Sequence, residues 1–535
     1  MIAGPWRVQK NETDGTPKCA SPLRWYQYPL AYQIRWAMRS RHPAAVGAAA
    51  VRGHLEGKAK LLSGTLPPIA STFSNDELNN SFPLDRGRRF RCEGGQRLVD
   101  EVLADIRVGE VRDRRRRASV EAQERASVET LLANLSAAAL NVIDPWRFAA
   151  VGFNRNDYTR GDLSLPAMQR ARDQLLSAGL AEGQRGFQRP DQFGDGRFGR
   201  TTRLRATDRL RQRFSEYGLG RGSLTRPPSQ LIRLRKPQDA DPMQPPEEVE
   251  ASRAILAMVN ERLASVNLGL AGGEQRLLAS WEATTREDDQ EEKDQRLRYS
   301  GDLSAASLYR SFSGNWSSGG RIYGGWWMSV SRRLRPAITI DGARVVELDY
   351  SALHPRILFN RTGLPLDFDP YVVPGYPEDE MRALGKRTFA RLLNRRQTRS
   401  SRRLKIKAGK GDLASLPPGV SFAAYSEVLC RNLEPILPFM GRGIGVELQY
   451  QDSLLALSIL ERMEEAGVPV LPVHDSFIVP EQHENLLRDA MVSCYKGLFG
   501  FLPSISRKIA HSRPGGGTPS GTITKTVKRK RAPDD

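Results

Sequence analysis

The feature that most constrains the fold is a short apolar hairpin near the C-terminus with an acid at its turn. Residues 468–479 read Val-Pro-Val-Leu-Pro-Val-His-Asp-Ser-Phe-Ile-Val, so two apolar runs flank His474 and Asp475. Apolar runs on both sides of a polar dipeptide predict two paired strands joined by a tight turn. A carboxylate buried at that turn has no evident structural partner, and Mg²⁺ would offset its charge. Asp475 is therefore a candidate metal ligand.

A second acid ends another apolar strand. Val345, Val346 and Leu348 precede Asp349, and the residues that follow predict a helix. An Asp between a strand and a helix lies open to a cleft, as a metal ligand must, although the same position suits a helix cap. The long segment between Asp349 and Asp475 leaves room for helices inserted between two neighbouring strands.

The most cationic segment of the chain lies between the two acids. Residues 382–410 contain no Asp or Glu. On a helix, Arg382, Lys386, Phe389 and Leu393 share one face. Cations at this spacing can bind a triphosphate, while the apolar residues pack or stack against a base. The alternative is a solvated basic face.

These blocks, in this order, resemble the motifs of family A polymerases, the DNA polymerase I type, and of the related single-subunit phage-type RNA polymerases. The resemblance covers residues 308–506 and implies a palm and fingers domain that uses two Mg²⁺ ions. The matching elements are Asp349-Tyr350-Ser351 with Arg356, then Arg382, Lys386 and Phe389, then Val473-His474-Asp475, with support from Gly320-Arg321-Ile322 and from Gln449 and Gln451.

The resemblance also implies a role for each matching residue. Asp349 and Asp475 would hold the metal ions, and Lys386 would join them in catalysis. The remaining residues divide between nucleotide and nucleic acid. Nucleotide binding falls to Arg382, Lys386, Phe389, His354 and Tyr350, and primer-template binding falls to Arg321, Gln449, Gln451 and His474.

The sugar of the product stays open at this point. DNA polymerases of the family carry a Glu five residues after the first Asp, where it excludes the ribose 2′-OH, and this chain has His354 there. Ser476, after His474 and Asp475, is like the RNA enzymes. We favour a DNA polymerase without proofreading that uses a DNA template or primer-template and dNTPs. The alternatives are an RNA polymerase or primase that uses NTPs, and a non-enzymatic DNA-binding regulator with a degenerate palm.

The charge of the chain and its middle segment both favour a nucleic-acid partner. A net charge of +20 suits a polyanion, although an arginine-rich coding bias would also produce it. Residues 141–222 predict a helix, a basic hairpin and a further helix, an order that resembles a winged helix-turn-helix but also occurs in unrelated small α/β units. The predicted DNA contacts of this module are Arg170, Arg185, Arg203 and Arg205.

The sequence thus predicts an α/β multidomain protein. Its N-terminus lacks a signal-peptide pattern and no apolar run is long enough to span a bilayer, which favours a cytoplasmic protein, nucleoid-associated if bacterial. The predicted regions are a mainly helical segment at 1–140, a winged-helix-like module at 141–222, a Pro-rich linker at 223–250, a helical thumb-like or connecting segment at 251–307, the palm and fingers at 308–506 and a disordered basic tail at 507–535.

Overall fold

The computed structural model describes residues 73–508, with gaps at 109–115, 159–161, 191–196, 236–243, 275–301, 331, 333, 397–405 and 410. All of the described residues belong to one compact unit. The first 72 residues of the predicted N-terminal segment, and the predicted tail beyond 508, lie outside the described part.

The N-terminal half of the described chain forms five helices and eight short strands. The helices are α1 (Asn75–Asn79), α2 (Glu93–Arg107), α3 (Ala118–Ala139), α4 (Leu165–Ser177) and α5 (Asp208–Glu216). The strands are β1 (Ser81–Pro83), β2 (Arg89–Phe90), β3 (Phe148–Val151), β4 (Ala181–Gln184), β5 (Phe187–Pro190), β6 (Arg197–Arg200), β7 (Thr202–Ala206) and β8 (Leu224–Thr225).

One hydrophobic core, here called the N-terminal core, joins these elements from Phe82 to Leu224. Helix α3 buries Leu131, Leu132 and Leu135 in it, so the helix has little polar face along its second half. A domain boundary at residue 140 would cut through this core. The predicted segments 1–140 and 141–222 therefore share one packed structure from residue 82 onward.

The predicted helix–hairpin–helix order is present within that core. The Ser164 side chain accepts a hydrogen bond from Ala167 N and caps α4, with Pro166 in the first turn. Strands β4 and β7 pair antiparallel, and β5 pairs with β6 between them. Strand β7 lies inside a sheet of order β1-β3-β7-β4. The winged-helix assignment itself rests only on this order of elements.

The predicted Pro-rich linker is largely structured where it is described. Strand β8 pairs with β2, and β9 (Ile232–Arg235) pairs parallel to β11 (Ala306–Ser313). Helix α6 (Glu247–Ser265) begins inside the predicted linker. Strand β8 thus pairs with a strand of the N-terminal core, and β9 pairs with a strand of the C-terminal half. Residues 224–235 therefore connect the two through backbone hydrogen bonds.

The C-terminal half adds further helices and strands. The helices are α7 (Leu353–Arg361), α8 (Glu378–Asn394), α9 (Phe422–Asn432), α10 (Gly445–Glu465) and α11 (Glu484–Phe499). The strands are β10 (Leu268–Leu270), β12 (Asn315–Gly325), β13 (Ile338–Ile340), β14 (Ala343–Tyr350), β15 (Leu471–Val473), β16 (Ser476–Pro480) and β17 (Ile505–Lys508).

An antiparallel sheet, here called the C-terminal sheet, organises this half. Its order is β10-β13-β14-β16-β15, and β17 also pairs with β14. The predicted tail boundary at 507 is wrong, because residues 507 and 508 continue β17 beside β14. No helix among the described residues is long and apolar enough to cross a membrane.

Alternation along β14 gives the C-terminal sheet two different faces. Val346, Leu348 and Tyr350 are buried, and the Tyr350 hydroxyl donates to the Met491 carbonyl of α11 at 2.6 Å. Successive strand residues point to opposite faces, so Asp349 lies on the face away from α11. The fold therefore presents Asp349 near the C-terminal end of a strand whose opposite face is apolar.

Candidate active site

The two acids singled out by the sequence lie side by side at the end of two paired strands. Asp349 is the register partner of Ser476, and Tyr350 N donates to the Asp475 carbonyl at 3.1 Å. Residues opposite each other in an antiparallel pair have Cβ atoms about 5 Å apart. Asp475 precedes Ser476 in the turn between β15 and β16. We call Asp349 and Asp475 the acid pair.

The backbone on both sides of the acid pair is strained. Among the described residues, Asp341, Ala352 and His474 are the non-glycine residues with positive φ. Ala352 has φ 52° just after Asp349, and His474 has φ 58° just before Asp475. Non-glycine residues in this region cost about 1 kcal/mol or more and cluster at functional sites. The turn that carries Asp475 is thus held in an unfavourable conformation by the strands around it.

The electrostatics of the acid pair are unfavourable without a cation. Burial and, next, the neighbouring Asp475 carboxylate raise the pKa of Asp349 to about 6. Both causes disfavour a second negative charge in this place. A bound divalent cation would remove the repulsion, so the acid pair fits a metal ligand set on electrostatic grounds.

A lysine outside the predicted motifs supplies part of the compensation. Lys508 Nζ lies 2.8 Å from Asp349 Oδ1 and 3.0 Å from Glu347 Oε1. Glu347 also pairs with Arg335 at 2.9 Å and accepts a hydrogen bond from Ser476 at 2.7 Å. Glu347 is therefore fully engaged, whereas Asp349 has Lys508 as its one ion-pair partner among the described residues.

The acid pair offers two carboxylates, which suits a Mg²⁺ site completed by water and phosphates. It is too small a ligand set for a metal site made of protein ligands alone. Within the described ranges, no three His, Cys, Asp or Glu residues come close enough together to form a metal cluster. Mg²⁺ commonly binds through one or two carboxylates and completes its shell with water and substrate phosphates. Two neighbouring carboxylates at an open strand end meet that requirement.

The cationic helix α8 divides its charges between two faces. Arg387 and Arg391 pair with the buried Asp412 at 3.3 and 2.5 Å, so they fix the helix to the loop before α9. Arg382 pairs with Asp369 at 2.6 Å. Lys386 is exposed and makes no ion pair with the described residues. Of the two predicted triphosphate ligands, Lys386 could bind a phosphate without breaking an ion pair with a described residue. Arg382 would first have to break its ion pair with Asp369.

Tyr371 connects this helix to the acid pair. The Arg382 guanidinium lies 5.4 Å from the centre of the Tyr371 ring. Burial and, next, the Asp475 charge raise the pKa of the Tyr371 hydroxyl, with smaller contributions from Asp369 and Asp349. Tyr371 therefore contacts Arg382 and lies near enough to Asp475 for its pKa to respond to that charge.

Two predicted nucleotide ligands have buried side chains. Tyr350 is buried under α11, on the face opposite Asp349. Phe389 is 3% exposed and packs against Tyr371 with ring centres 5.7 Å apart. A side chain buried in this way cannot stack on a base, so the predicted nucleotide contacts of Tyr350 and Phe389 are wrong for their side chains. The apolar positions on the α8 face belong to the core.

The predicted sugar-contacting residue belongs to a small polar network. Arg321 Nε donates to Asp452 Oδ2 at 2.7 Å, and Arg321 Nη2 lies 3.4 Å from His354 Nε2. Burial and, next, the Arg321 charge lower the pKa of His354 to about 4. His354 is therefore a neutral imidazole near pH 7, held beside Arg321 and buried Asp452.

The other predicted primer-template contacts surround this network. Gln449 and Gln451 are partly buried on the first turns of α10. The buried Gln451 Oε1 and His474 Nδ1 atoms have no hydrogen-bond partner among the described residues. Burial, and to a smaller extent Arg321, lower the pKa of His474. These unpaired polar atoms leave hydrogen-bonding capacity for a ligand.

The predicted DNA contacts of the N-terminal core fall into two groups. Arg203 and Arg205 are held inside the structure: Arg203 Nε donates to Leu78 O at 2.7 Å, and Arg205 Nε donates to Glu182 at 2.6 Å. Arg170 and Arg185 are exposed on the surface, where Arg185 pairs with Asp173 at 2.9 Å. Only Arg170 and Arg185 are free to meet a phosphate without loss of a buried contact.

Sequence reasoning missed Lys508, Tyr371 and Asp452. The sequence predicts a disordered tail at Lys508 because the segment after it is basic and rich in glycine. Tyr371 lies in a loop without periodicity, and Asp452 lies inside a helix that reads as apolar. A strand pattern at residues 503–508 was the one available signal, and it was too short to identify.

Comparison with known proteins adds little. No protein-family model matches the chain, and no curated protein matches it. Among solved structures, the chain is similar to the polymerase domain of Pol1 from M. smegmatis, solved in complex with a DNA primer-template and dNTP. The identity is 13%, the TM-score is 0.28, and the likeness covers 51% of this chain and 57% of that one. At that TM-score the likeness supports no conclusion about function.

Proposed function

We propose that this chain is a template-dependent nucleotidyltransferase, and specifically a DNA polymerase without proofreading. The observation that carries the proposal is the acid pair. Two carboxylates stand together at the polar end of an antiparallel sheet, and the pKa of Asp349 is raised to about 6 because of burial and Asp475. Perturbed carboxylates in a cleft are candidates for a functional site.

In this proposal Asp349 and Asp475 hold Mg²⁺, which activates the attacking 3′-hydroxyl and stabilises the leaving pyrophosphate when bound. Lys386 binds the triphosphate and donates a proton to the pyrophosphate. Arg382 exchanges Asp369 for the triphosphate and neutralises the charge that grows in the transition state. Both cations lie on α8, one turn apart.

The polar network beside the acid pair receives the sugar and the primer in this proposal. His354, held by Arg321, crowds the position of a 2′-hydroxyl and gives dNTPs a modest advantage. Arg321, His474 and the two glutamines Gln449 and Gln451 contact the primer-template. The unpaired atoms of Gln451 and His474 support this assignment, since nucleic acid offers partners for both.

The N-terminal core contributes duplex binding through its exposed arginines. Arg170 and Arg185 supply the phosphate contacts, while Arg203 and Arg205 stabilise the fold. The net charge of +20 supports a polyanionic partner for the whole chain.

The decisive experiment is extension of a labelled primer-template with dNTPs and NTPs supplied separately. Offering each dNTP alone against the four template bases tests whether addition follows the template. Mg²⁺-dependent, templated addition of dNTPs is the expected result. Preferential use of NTPs would make the chain an RNA polymerase, and no addition of either would leave the DNA-binding regulator as the better explanation.

A further inference from the structure

An arginine cluster joins the N-terminal core to the C-terminal half. Arg226 Nη2 donates to the Asp85 carboxylate, and Arg233 Nη2 lies 3.6 Å from Asp85 Oδ1. Arg226 has 4% of its side chain exposed and Arg233 has 26%. Two guanidiniums thus share one carboxylate in a largely buried place, which leaves one excess positive charge. We call Arg226, Arg233 and Asp85 the arginine junction.

Several donors of the arginine junction have no acceptor. Arg226 Nε and Nη1 and Arg233 Nε are buried and make no hydrogen bond with the described residues. Nearby, Arg88 Nη2 pairs with a carboxylate of its own, Asp302, at 2.7 Å. Buried donors without partners are rare in folded proteins and call for an explanation, such as a ligand.

An aromatic surface leads from the arginine junction to the acid pair. The Arg226 and Arg233 guanidiniums lie 4.3 and 4.5 Å from the centre of the Tyr309 ring. Tyr309 faces its cross-strand partner Tyr323 at 6.1 Å, and Tyr323 faces His474 at 5.9 Å. His474 precedes Asp475, so this series of rings ends at the acid pair.

Both tyrosines remain partly exposed, and so does Arg321, two residues before Tyr323 on the same face of β12. Partly exposed rings beside cations are typical of surfaces that follow a nucleic-acid strand, where bases or sugars pack on the rings and cations contact phosphates. A strand rises about 3.4 Å per nucleotide, so the rings span a few nucleotides.

We propose that the arginine junction is a phosphate subsite for the primer strand, a few nucleotides upstream of its 3′ end, with Tyr309 and Tyr323 supporting the strand in between. The primer is the strand concerned because its reacting end must reach the acid pair, where the ring series ends. This inference rests on the proposed function. A backbone phosphate would accept hydrogen bonds from the unpaired arginine donors, and its negative charge would balance the excess positive charge.

The test replaces single primer phosphates by neutral methylphosphonates and measures the affinity of the chain for each primer-template. For the unsubstituted chain, we expect about tenfold weaker binding when the replaced phosphate is the one that contacts the arginine junction. In Arg233→Gln, binding of the unmodified primer-template falls by a similar factor, and sensitivity at that position disappears. The slope of log Kd against log salt falls by about one.

The matched control is Arg97→Gln, an exposed arginine on α2 that pairs with Glu93. It should leave affinity and the pattern of sensitive positions unchanged. Melting temperatures of both variants separate binding from folding. If Arg233→Gln melts lower but keeps its affinity and its sensitive position, the arginine junction only stabilises the fold and the inference is overturned.

The same data distinguish failure of the inference from failure of the proposed function. If the unsubstituted chain extends the primer and no upstream phosphate matters, only the phosphate subsite is wrong. If the chain neither binds nor extends any primer-template, the proposed function is wrong and the subsite fails with it.

Discussion

The ion pairs of the N-terminal core and the acid pair of the C-terminal sheet treat charge in different ways. In the N-terminal core, Arg89 lies 2.7 Å from Asp162 and 3.9 Å from Glu129, and Arg205 pairs with Glu182 at 2.6 Å. In the C-terminal sheet, the acid pair brings two carboxylates together with Lys508 as the nearest cation. A buried charge with a partner of opposite sign is compatible with a stable fold, whereas a buried charge without one destabilises it. Such destabilising charges are often found at functional sites. The comparison suggests a structural role for Arg89 and Arg205 and a chemical role for the acid pair.

The largest expected effect is loss of nucleotide addition in Asp349→Asn and Asp475→Asn. Removal of a metal-binding charge should cost about 4 kcal/mol or more of transition-state stabilisation, roughly a thousandfold in rate. Single-nucleotide extension under saturating dNTP measures this. Asp489→Asn, an exposed acid on α11, is the matched control and should extend normally. Substantial nucleotide addition by either acid-pair variant would contradict the catalytic role of the acid pair.

Next in size is the effect of His354→Gly on sugar choice. A clash of ~2–3 kcal/mol with a 2′-hydroxyl gives roughly 30- to 150-fold discrimination. The variant should lift NTP incorporation more than it lowers dNTP incorporation, and the ratio of kcat/KM values for the two nucleotides measures it. An unchanged ratio would show that His354 does not set sugar choice.

Arg205→Ala tests whether the ion pairs of the N-terminal core stabilise the fold. This change breaks the contact with Glu182 and removes a guanidinium that lies 4.7 Å from the centre of the Phe148 ring. We expect a loss of about 2 kcal/mol in the free energy of unfolding. Arg185→Ala, on the surface, should stay within about 0.5 kcal/mol. Denaturant titration compares them. Weaker DNA binding by Arg205→Ala at full stability would restore its predicted role as a DNA contact.

A further effect of similar size concerns the pH dependence of stability. The pKa of Asp349 in the folded chain, about 6, exceeds the value near 3.9 of an unfolded Asp. The folded state therefore binds this proton more tightly, and the stability it adds below pH 4 is lost as the pH rises to 6. Without divalent cations, Asp349→Asn should gain about 1–3 kcal/mol relative to wild type between pH 4 and pH 7. If the melting temperatures of wild type and Asp349→Asn change with pH in parallel, the pKa of Asp349 is not raised in the folded chain.

Local patterns in the sequence predicted the parts of the fold that are local in origin. The apolar runs around His474 and Asp475 predict the β15–β16 hairpin because pairing and turn lie within a dozen residues. Ser164 and Pro166 predict the start of α4 for the same reason. The motif order also predicts that Asp349, Asp475 and Arg382 share one region, and the pairing of β14 with β16 brings Asp349 beside the turn that carries Asp475.

Long-range pairing explains what the sequence did not predict. The N-terminal core crosses residue 140 because β1, before it, pairs with β3 after it. Lys508 reaches Asp349 only through β17, a strand of four residues whose pattern is too short to recognise. Phe389 shares a helix face with Arg382 and Lys386, and periodicity alone could not tell that the apolar part of that face contacts Tyr371 and not a ligand.

Divalent-cation binding tests the account most directly. Mn²⁺ accepts the same oxygen ligands as Mg²⁺, and its paramagnetic resonance signal reports the free ion during a titration. We predict that the chain, with a dNTP and a primer-template ending in a 3′-deoxynucleotide, binds Mn²⁺ at a site that Asp349→Asn and Asp475→Asn each lose and Asp489→Asn retains. Equal Mn²⁺ binding by all four proteins would contradict the claim that the acid pair holds the catalytic cation.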